Sequence, residues 1–168
     1  MTGQVEEAIN LMKKRLAQKD LSIEMKGEGI IYQSTCTFNS PASDEEIQSF
    51  EKKTGLHLPG DYKEFLKITN GCRLFESRKS GGENDLYSLE DIINYTYEVP
   101  YEGCFKVACI YQDNIVINGG AIAMGDKEYI MVKGHLDDFE EGRKLHMSFA
   151  EWIERFLSDQ GEKFWDKR

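Results

Sequence analysis

The chain contains no apolar run near the roughly 18 residues that a membrane-spanning helix needs, so a membrane protein is not expected. Its opening residues, MTGQVEEAINLMKKRL, place Glu6 and Glu7 ahead of the apolar positions. That is the reverse of a basic segment leading into an apolar export signal, and a cytoplasmic location is expected. Cations are also in short supply: 21 Lys and Arg stand against 30 Asp and Glu, a net charge of −9. Phosphate backbones reward clustered Lys and Arg, so direct nucleic-acid binding is not expected. The same acidity suits a basic protein partner, because opposite potentials speed encounter, and it also serves plain solubility. None of the four cysteines (Cys36, Cys72, Cys104, Cys109) belongs to a CxxC pair. Cys36 and Cys109 sit inside strand-like patterns, so reduced core thiols are expected.

Sites that need particular residues at particular spacings are missing as well. Gly120 and Gly125 have the spacing of a phosphate-binding loop, but Asp126 stands where the lysine belongs and no Ser or Thr follows Lys127. An aspartate there repels phosphate. His57, His135 and His146 have no His or Cys partner at metal-ligand spacing. The acidic segments lack the alternating ligands and central glycine of a calcium loop. No catalytic, cofactor-binding or metal-binding residue is assigned.

At 168 residues, 40% of them hydrophobic, the chain fits one domain over 1–168 with a real core. No internal repeat or low-complexity segment occurs. Val5, Ala8, Ile9, Met12 and Leu16 form one helical stripe over residues 5–19. Gly27 and Gly29 then break the chain. Ile30 to Phe38 alternates as a strand, with Ile30, Tyr32, Ser34, Cys36 and Phe38 on its inner face.

The most patterned stretch follows, PASDEEIQSFEKKTGLHLPGDYKEFLKITNG, from Pro41 to Gly71. Ser43 and Glu46 make a capping box, in which each side chain satisfies an exposed backbone N–H. Ile47 and Phe50 face inward, and Gly55 supplies the left-handed stop. Pro59 opens a second helix, where its missing N–H costs little. Tyr62, Phe65, Leu66 and Thr69 share that helix's inner face, with Asp61, Lys63, Glu64 and Lys67 outward. Asn70-Gly71 closes it.

Residues 77–85 read as a mobile polar loop. Ser88 with Asp91 starts another helix. Phe105–Ile110 and Ile115–Ile117 read as strands, and Ala121–Met124 with Tyr129–Lys133 as a hairpin around Gly125–Glu128. Leu136–Lys144 is an acidic connection. Ser148 and Glu151 form a further capping box, with Met147 and Trp152 at the staple positions, and the tail folds back through Phe164 and Trp165 or frays. Helices followed by hairpin-spaced strands give α+β, an antiparallel sheet with helices packed mainly on one face.

Two surface groups have a functional reading. Asp137, Asp138, Glu140 and Glu141 surround Phe139: either a solvated loop, or an acidic contact surface with one aromatic anchor. Tyr97 and Glu102 lie in a second cluster, with Tyr95, Tyr101 and Glu98, that reads as interface or core-edge packing.

Pro41, Glu46, Ile47, Phe50, Glu51, Gly55, Leu58, Pro59, Asp61, Tyr62, Phe65, Leu66, Asn70 and Gly71 together resemble the SUKH superfamily, the Smi/Knr-like domain. The final SFAEWIERFL, Ser148 to Leu157, resembles that family's last helix. The resemblance is strongest over 41–71 and extends to about 157. It implies an α+β fold without an established catalytic site. Bacterial members of the family are commonly immunity proteins that neutralise a cognate polymorphic toxin, frequently a nuclease. Fungal members regulate cell-wall assembly. The short, compact chain is similar to the bacterial type. The resemblance therefore implies an antitoxin that masks a basic toxin stoichiometrically, as a monomer or weak dimer. A regulatory or scaffolding module without a toxin is the alternative.

Overall fold

A computed structural model describes residues 3–19, 23–27, 30–77, 79–96 and 103–166. The chain runs α1 (Gln4–Gln18), β1 (Ile23–Gly27), β2 (Ile30–Phe38), α2 (Asp44–Thr54), α3 (Gly60–Ile68), β3 (Cys72–Glu76), β4 (Asn84–Leu86) and α4 (Leu89–Tyr95). It continues with β5 (Phe105–Ile110), β6 (Asp113–Ile117), α5 (Gly119–Ala123), β7 (Ile130–Gly134), β8 (Arg143–Lys144) and α6 (Phe149–Ser158). Short 3₁₀ turns span Phe139–Glu141 and Phe164–Asp166. The fold is α+β, and among the described residues each strand pairs antiparallel with its sequence neighbour in the order β1 to β8.

Strand register separates the two faces of the sheet. Leu86, Ala108, Ile115 and Val132 pair across β4–β7 and join one core with Val5, Ile9 and Met12 of α1, Tyr62 and Phe65 of α3, and Trp152 and Phe156 of α6. One residue along, Asp85, Cys109, Asn114 and Lys133 pair on the opposite face. A one-residue step exchanges faces, so each strand carries an apolar set toward the helices and a more polar set away from them. A small second cluster of Cys104, Val116 and Phe139, with Met131 against it, is separate from that core.

The capping signals at Ser43 and Ser88 form in full, whereas of the box expected at Ser148 and Glu151 only one half forms, the Ser148 hydroxyl accepting the Glu151 N–H at 3.2 Å. Ser43 with Glu46 and Ser88 with Asp91 form reciprocal boxes, and Gly55 adopts φ 73° at the end of α2. The tail folds back: Phe164 and Trp165 are buried, and Trp165 donates its indole N–H to Asp113 at 2.9 Å.

Four expectations are corrected. The chain around Gly27 does not simply break; Ile23–Gly27 is strand β1, paired with Ile30–Ser34. Ile30 and Tyr32 do not face the core, because that end of β2 is paired with the edge strand β1 and both side chains are exposed. Ala121–Met124 is no hairpin strand: Gly119–Ala123 forms α5, where Asn118 accepts the Ala121 N–H at 3.1 Å and caps the turn. Finally, residues 77–85 are not one mobile loop. Ser77 and Gly81 exchange two backbone hydrogen bonds of 2.9 and 2.8 Å, and Asn84–Leu86 is strand β4.

Candidate functional site

The polar residues of the 41–71 stretch are engaged at helix and strand junctions. A helix N-terminus leaves its first N–H groups without intrahelical partners. At α6 each finds one. Glu151 N–H donates to Ser148 Oγ at 3.2 Å, Phe149 N–H to the Tyr129 hydroxyl at 3.1 Å, and Ala150 N–H to Asp61 Oδ2 at 2.9 Å. Tyr129 in turn donates to Asp61 Oδ1, which also accepts the Tyr62 N–H at 2.8 Å. Asp61, placed on the outer face of α3 by helical periodicity, thus ties α3 to α6 and to Tyr129, the residue that leads into β7. The missed signal was the short, charged side chain at the first turn of α3, beside a buried tyrosine. Burial first, then the Asp61 hydrogen bond and charge, push the Tyr129 phenol well above its ordinary value.

Glu51 repeats this role at the α2–α3 junction, accepting Leu58 N–H at 3.0 Å and pairing with Lys63 at 3.0 Å. Burial alone would raise its carboxyl; the Leu58 N–H, Lys63 and His57 outweigh it and hold it below the ordinary value. Asn70 Oδ1 accepts the Leu89 N–H that opens α4 at 2.9 Å. Gly71 sits at φ 85°, where a Cβ would stand 2.6 Å from Ser88 N and 2.8 Å from Leu86 O. Only glycine satisfies both conditions.

The acidic segment is built on the sheet face opposite the main core. Lys133, 3% exposed, sends its ammonium to the Asp137 carbonyl at 2.6 Å and lies 5.3 Å from the Phe139 ring centroid. Asp137 Oδ2 accepts Gly134 N–H at 3.0 Å and Glu141 Oε2 accepts Asp138 N–H at 2.8 Å, so the loop is tied to itself. Phe139 is 4% exposed against Cys104, Val116 and Met131. It is therefore not the exposed aromatic anchor expected. Its ring finds apolar partners on the sheet, and it pins the loop from beneath. Asp137, Asp138, Glu140 and Glu141 are all exposed, and among the described residues no ion pair neutralises them. Tyr97 and Glu102 lie outside the described residues.

A second carboxylate group shares this face. Asp85 stands three strand steps from Lys133, roughly 14 Å at sheet spacing. Burial pushes the Asp85 carboxyl above its ordinary value; Arg73 pulls it back, and Glu76, Asp91 and Glu83 add to the rise. Arg73 Nε is 3.4 Å from Asp85 Oδ1, an ion-pair distance that makes no hydrogen bond. Sequence reading missed this cluster because its members come from β3, β4 and α4.

The remaining candidates do not assemble. All four cysteines are free, and burial raises Cys36 to about 11. Among the described residues no group of His, Cys, Asp and Glu could hold a metal ion, and no helix is long and apolar enough to cross a membrane.

Helices on one face of an antiparallel meander, locked by a capped-helix, Leu-Pro and Asn-Gly motif, define a Smi/Knr-like α+β domain. The chain belongs to the SMI1 / KNR4 family (SUKH-1), which matches residues 41–155. It is 31% identical over 183 aligned positions to "Uncharacterized protein YobM" of Bacillus subtilis (strain 168), covering 100% of this chain and 94% of that protein. It is 31% identical over 134 positions to "Uncharacterized protein YnaB" of the same organism, covering 79% of this chain and 88% of that protein.

Proposed function

We propose that this protein is an immunity protein that binds a cognate toxin of basic charge and masks it stoichiometrically without turnover. The proposed partner is a nuclease-type toxin, met in the cytoplasm of the cell that makes the immunity protein. One observation carries the reading: four exposed carboxylates, Asp137, Asp138, Glu140 and Glu141, which form no ion pair among the described residues, on a loop held by Lys133 and Phe139. A flexible acidic loop loses conformational entropy on binding; a pre-anchored one loses less. Asp85 and its carboxylate neighbours extend negative potential across the same face, and a cationic partner would offset the repulsion that Glu76, Asp91 and Glu83 add to the effect of burial on Asp85. Tyr97 and Glu102 complete the proposed contact set, and Phe139 supports it from below. No cofactor or metal enters this mechanism.

Co-expression tests the reading. A toxin-like open reading frame beside this gene, expressed alone, should arrest growth, and this chain should restore it through a one-to-one complex. Growth arrest unaffected by this chain, with no complex on co-purification, would remove the toxin reading and leave a regulatory module.

A further inference from the structure

We propose that Leu136 is the apolar anchor of the toxin interface and sets how long the complex lasts, while the carboxylates beside it set how fast the complex forms; this rests on the immunity reading above. Leu136 is 95% exposed, the most exposed large apolar side chain among the described residues. A lone exposed leucine is ordinary in itself. The backbone that carries this one is not. Asp137 N–H donates to the Gly134 carbonyl at 3.1 Å, and Gly134 N–H donates to Asp137 Oδ2 at 3.0 Å, so Leu136 sits in a turn closed twice. His135 N–H donates to the Gln112 carbonyl at 2.7 Å, and the Lys133 ammonium donates to the Asp137 carbonyl at 2.6 Å. The residues on both sides of Leu136 are therefore tied down while its own side chain stands in solvent. A turn of this kind is made as well or better by Asn, Asp, Gly or Ser, so local structure does not call for leucine there.

The prop beneath the turn is strained. Tyr111 and Gln112 adopt φ 41° and 71°, left-handed conformations that Gly and Asn take most readily in a tight hairpin. Such strain concentrates where a backbone is held for function, and here it aims the Gln112 carbonyl at His135. Asp137, Asp138, Glu140 and Glu141 are exposed within five positions of Leu136 and form no ion pair among the described residues. An apolar centre inside a charged rim is the anatomy of a protein interface, and its complement is an apolar hollow edged by Lys and Arg on the basic toxin. Phe139 is 4% exposed and cannot fill that role, which leaves Leu136 as the apolar side chain this loop presents. Exposed charges act across a Debye length of about 10 Å, before contact, and so govern association. A leucine acts only once it is buried, and so governs dissociation, by about 10–100-fold for full burial.

Binding kinetics of the full chain with the toxin-like product of the adjacent gene test this. Leu136→Ala should speed dissociation about tenfold or more, at low and high salt alike, with association within about twofold and melting temperature unchanged. Leu136→Met, which keeps the volume, should restore the slow dissociation. Met124→Ala, at a side chain 88% exposed beyond the other end of β6, should leave both rates as they are. A Leu136→Ala complex that dissociates at the unaltered rate, or that changes only in its association rate, overturns the anchor and leaves the immunity reading standing. A toxin-like product that forms no complex with the unaltered chain removes that reading, and the anchor with it.

Discussion

Truncating Asp61 to alanine should destabilise the fold by about 3 kcal/mol, although the residue sits on the polar side of α3. Its carboxylate accepts Ala150 N–H at 2.9 Å and the Tyr129 hydroxyl, and Tyr129 accepts Phe149 N–H at 3.1 Å. Ala150 is 7% exposed and Phe149 fully buried, so water cannot fully replace a lost acceptor. Each buried donor left unsatisfied costs about 1–3 kcal/mol, and removing a negative charge from the N-terminus of α6 costs a further ~0.5 kcal/mol. About 3 kcal/mol is a large share of the roughly 5–15 kcal/mol by which a domain is stable. Tyr129→Phe should cost about 1–2 kcal/mol, since it orphans the Phe149 N–H. The two residues form one network, so their effects should not add: urea denaturation of both single variants and the double variant should give a coupling energy of about 1–2 kcal/mol. Additivity within about 0.5 kcal/mol, or an Asp61→Ala loss below about 1 kcal/mol, would show that α6 is not held by this clamp.

Two further outcomes follow from the same junctions and from the buried acids. Gly71→Ala should cost about 3 kcal/mol or more in chemical denaturation, since positive φ is joined by a backbone clash at 2.6 Å, whereas Gly55→Ala, at φ 73° with nothing within 4 Å, should cost about 1 kcal/mol; equal losses would contradict the close approach. Burial raises Tyr62, Tyr87 and Tyr129, and burial likewise raises Cys36, Cys72 and Cys109. A folded-state value above the unfolded one gives stability that is complete below the unfolded value, near 9.0 for the thiols and 10.0 for the phenols, and is lost as pH rises past it. Melting temperature should therefore hold to about pH 8.5 and fall steadily toward pH 11; a flat profile through that range would count against these shifts.

Local chemistry was legible in the sequence and long-range geometry was not. Capping boxes at Ser43 and Ser88 were readable because both partners lie within four residues, and the α1 stripe because its period repeats over four turns. β4 was hidden: Asn-Asp-Leu has little strand propensity and is held by pairing to β3 and β5. α5 was misread because five residues are too short for a helical period to separate from an apolar strand. Alternation in β2 was right, but it could not tell that the Ile30–Tyr32 end lies beyond the helices. At the candidate site, the run of carboxylates was plain from composition. Phe139's burial was not, because its apolar partners Cys104 and Val116 come from distant segments. Asp61 was misplaced for the same reason, its partners being 68 and 89 residues away.

In the proposed complex a pre-anchored acidic loop meets a cationic toxin face. Calorimetric titration of the adjacent toxin-like gene product, with the chain and with its Asp137→Asn, Asp138→Asn, Glu140→Gln, Glu141→Gln variant, tests it most directly. These substitutions keep oxygen acceptors for the loop's own N–H groups and remove only charge. Affinity should fall by about 10–100-fold at low salt, mainly through slower association, and its salt dependence should flatten. Unchanged affinity with unchanged salt dependence would contradict the claim and remove the loop from the interface.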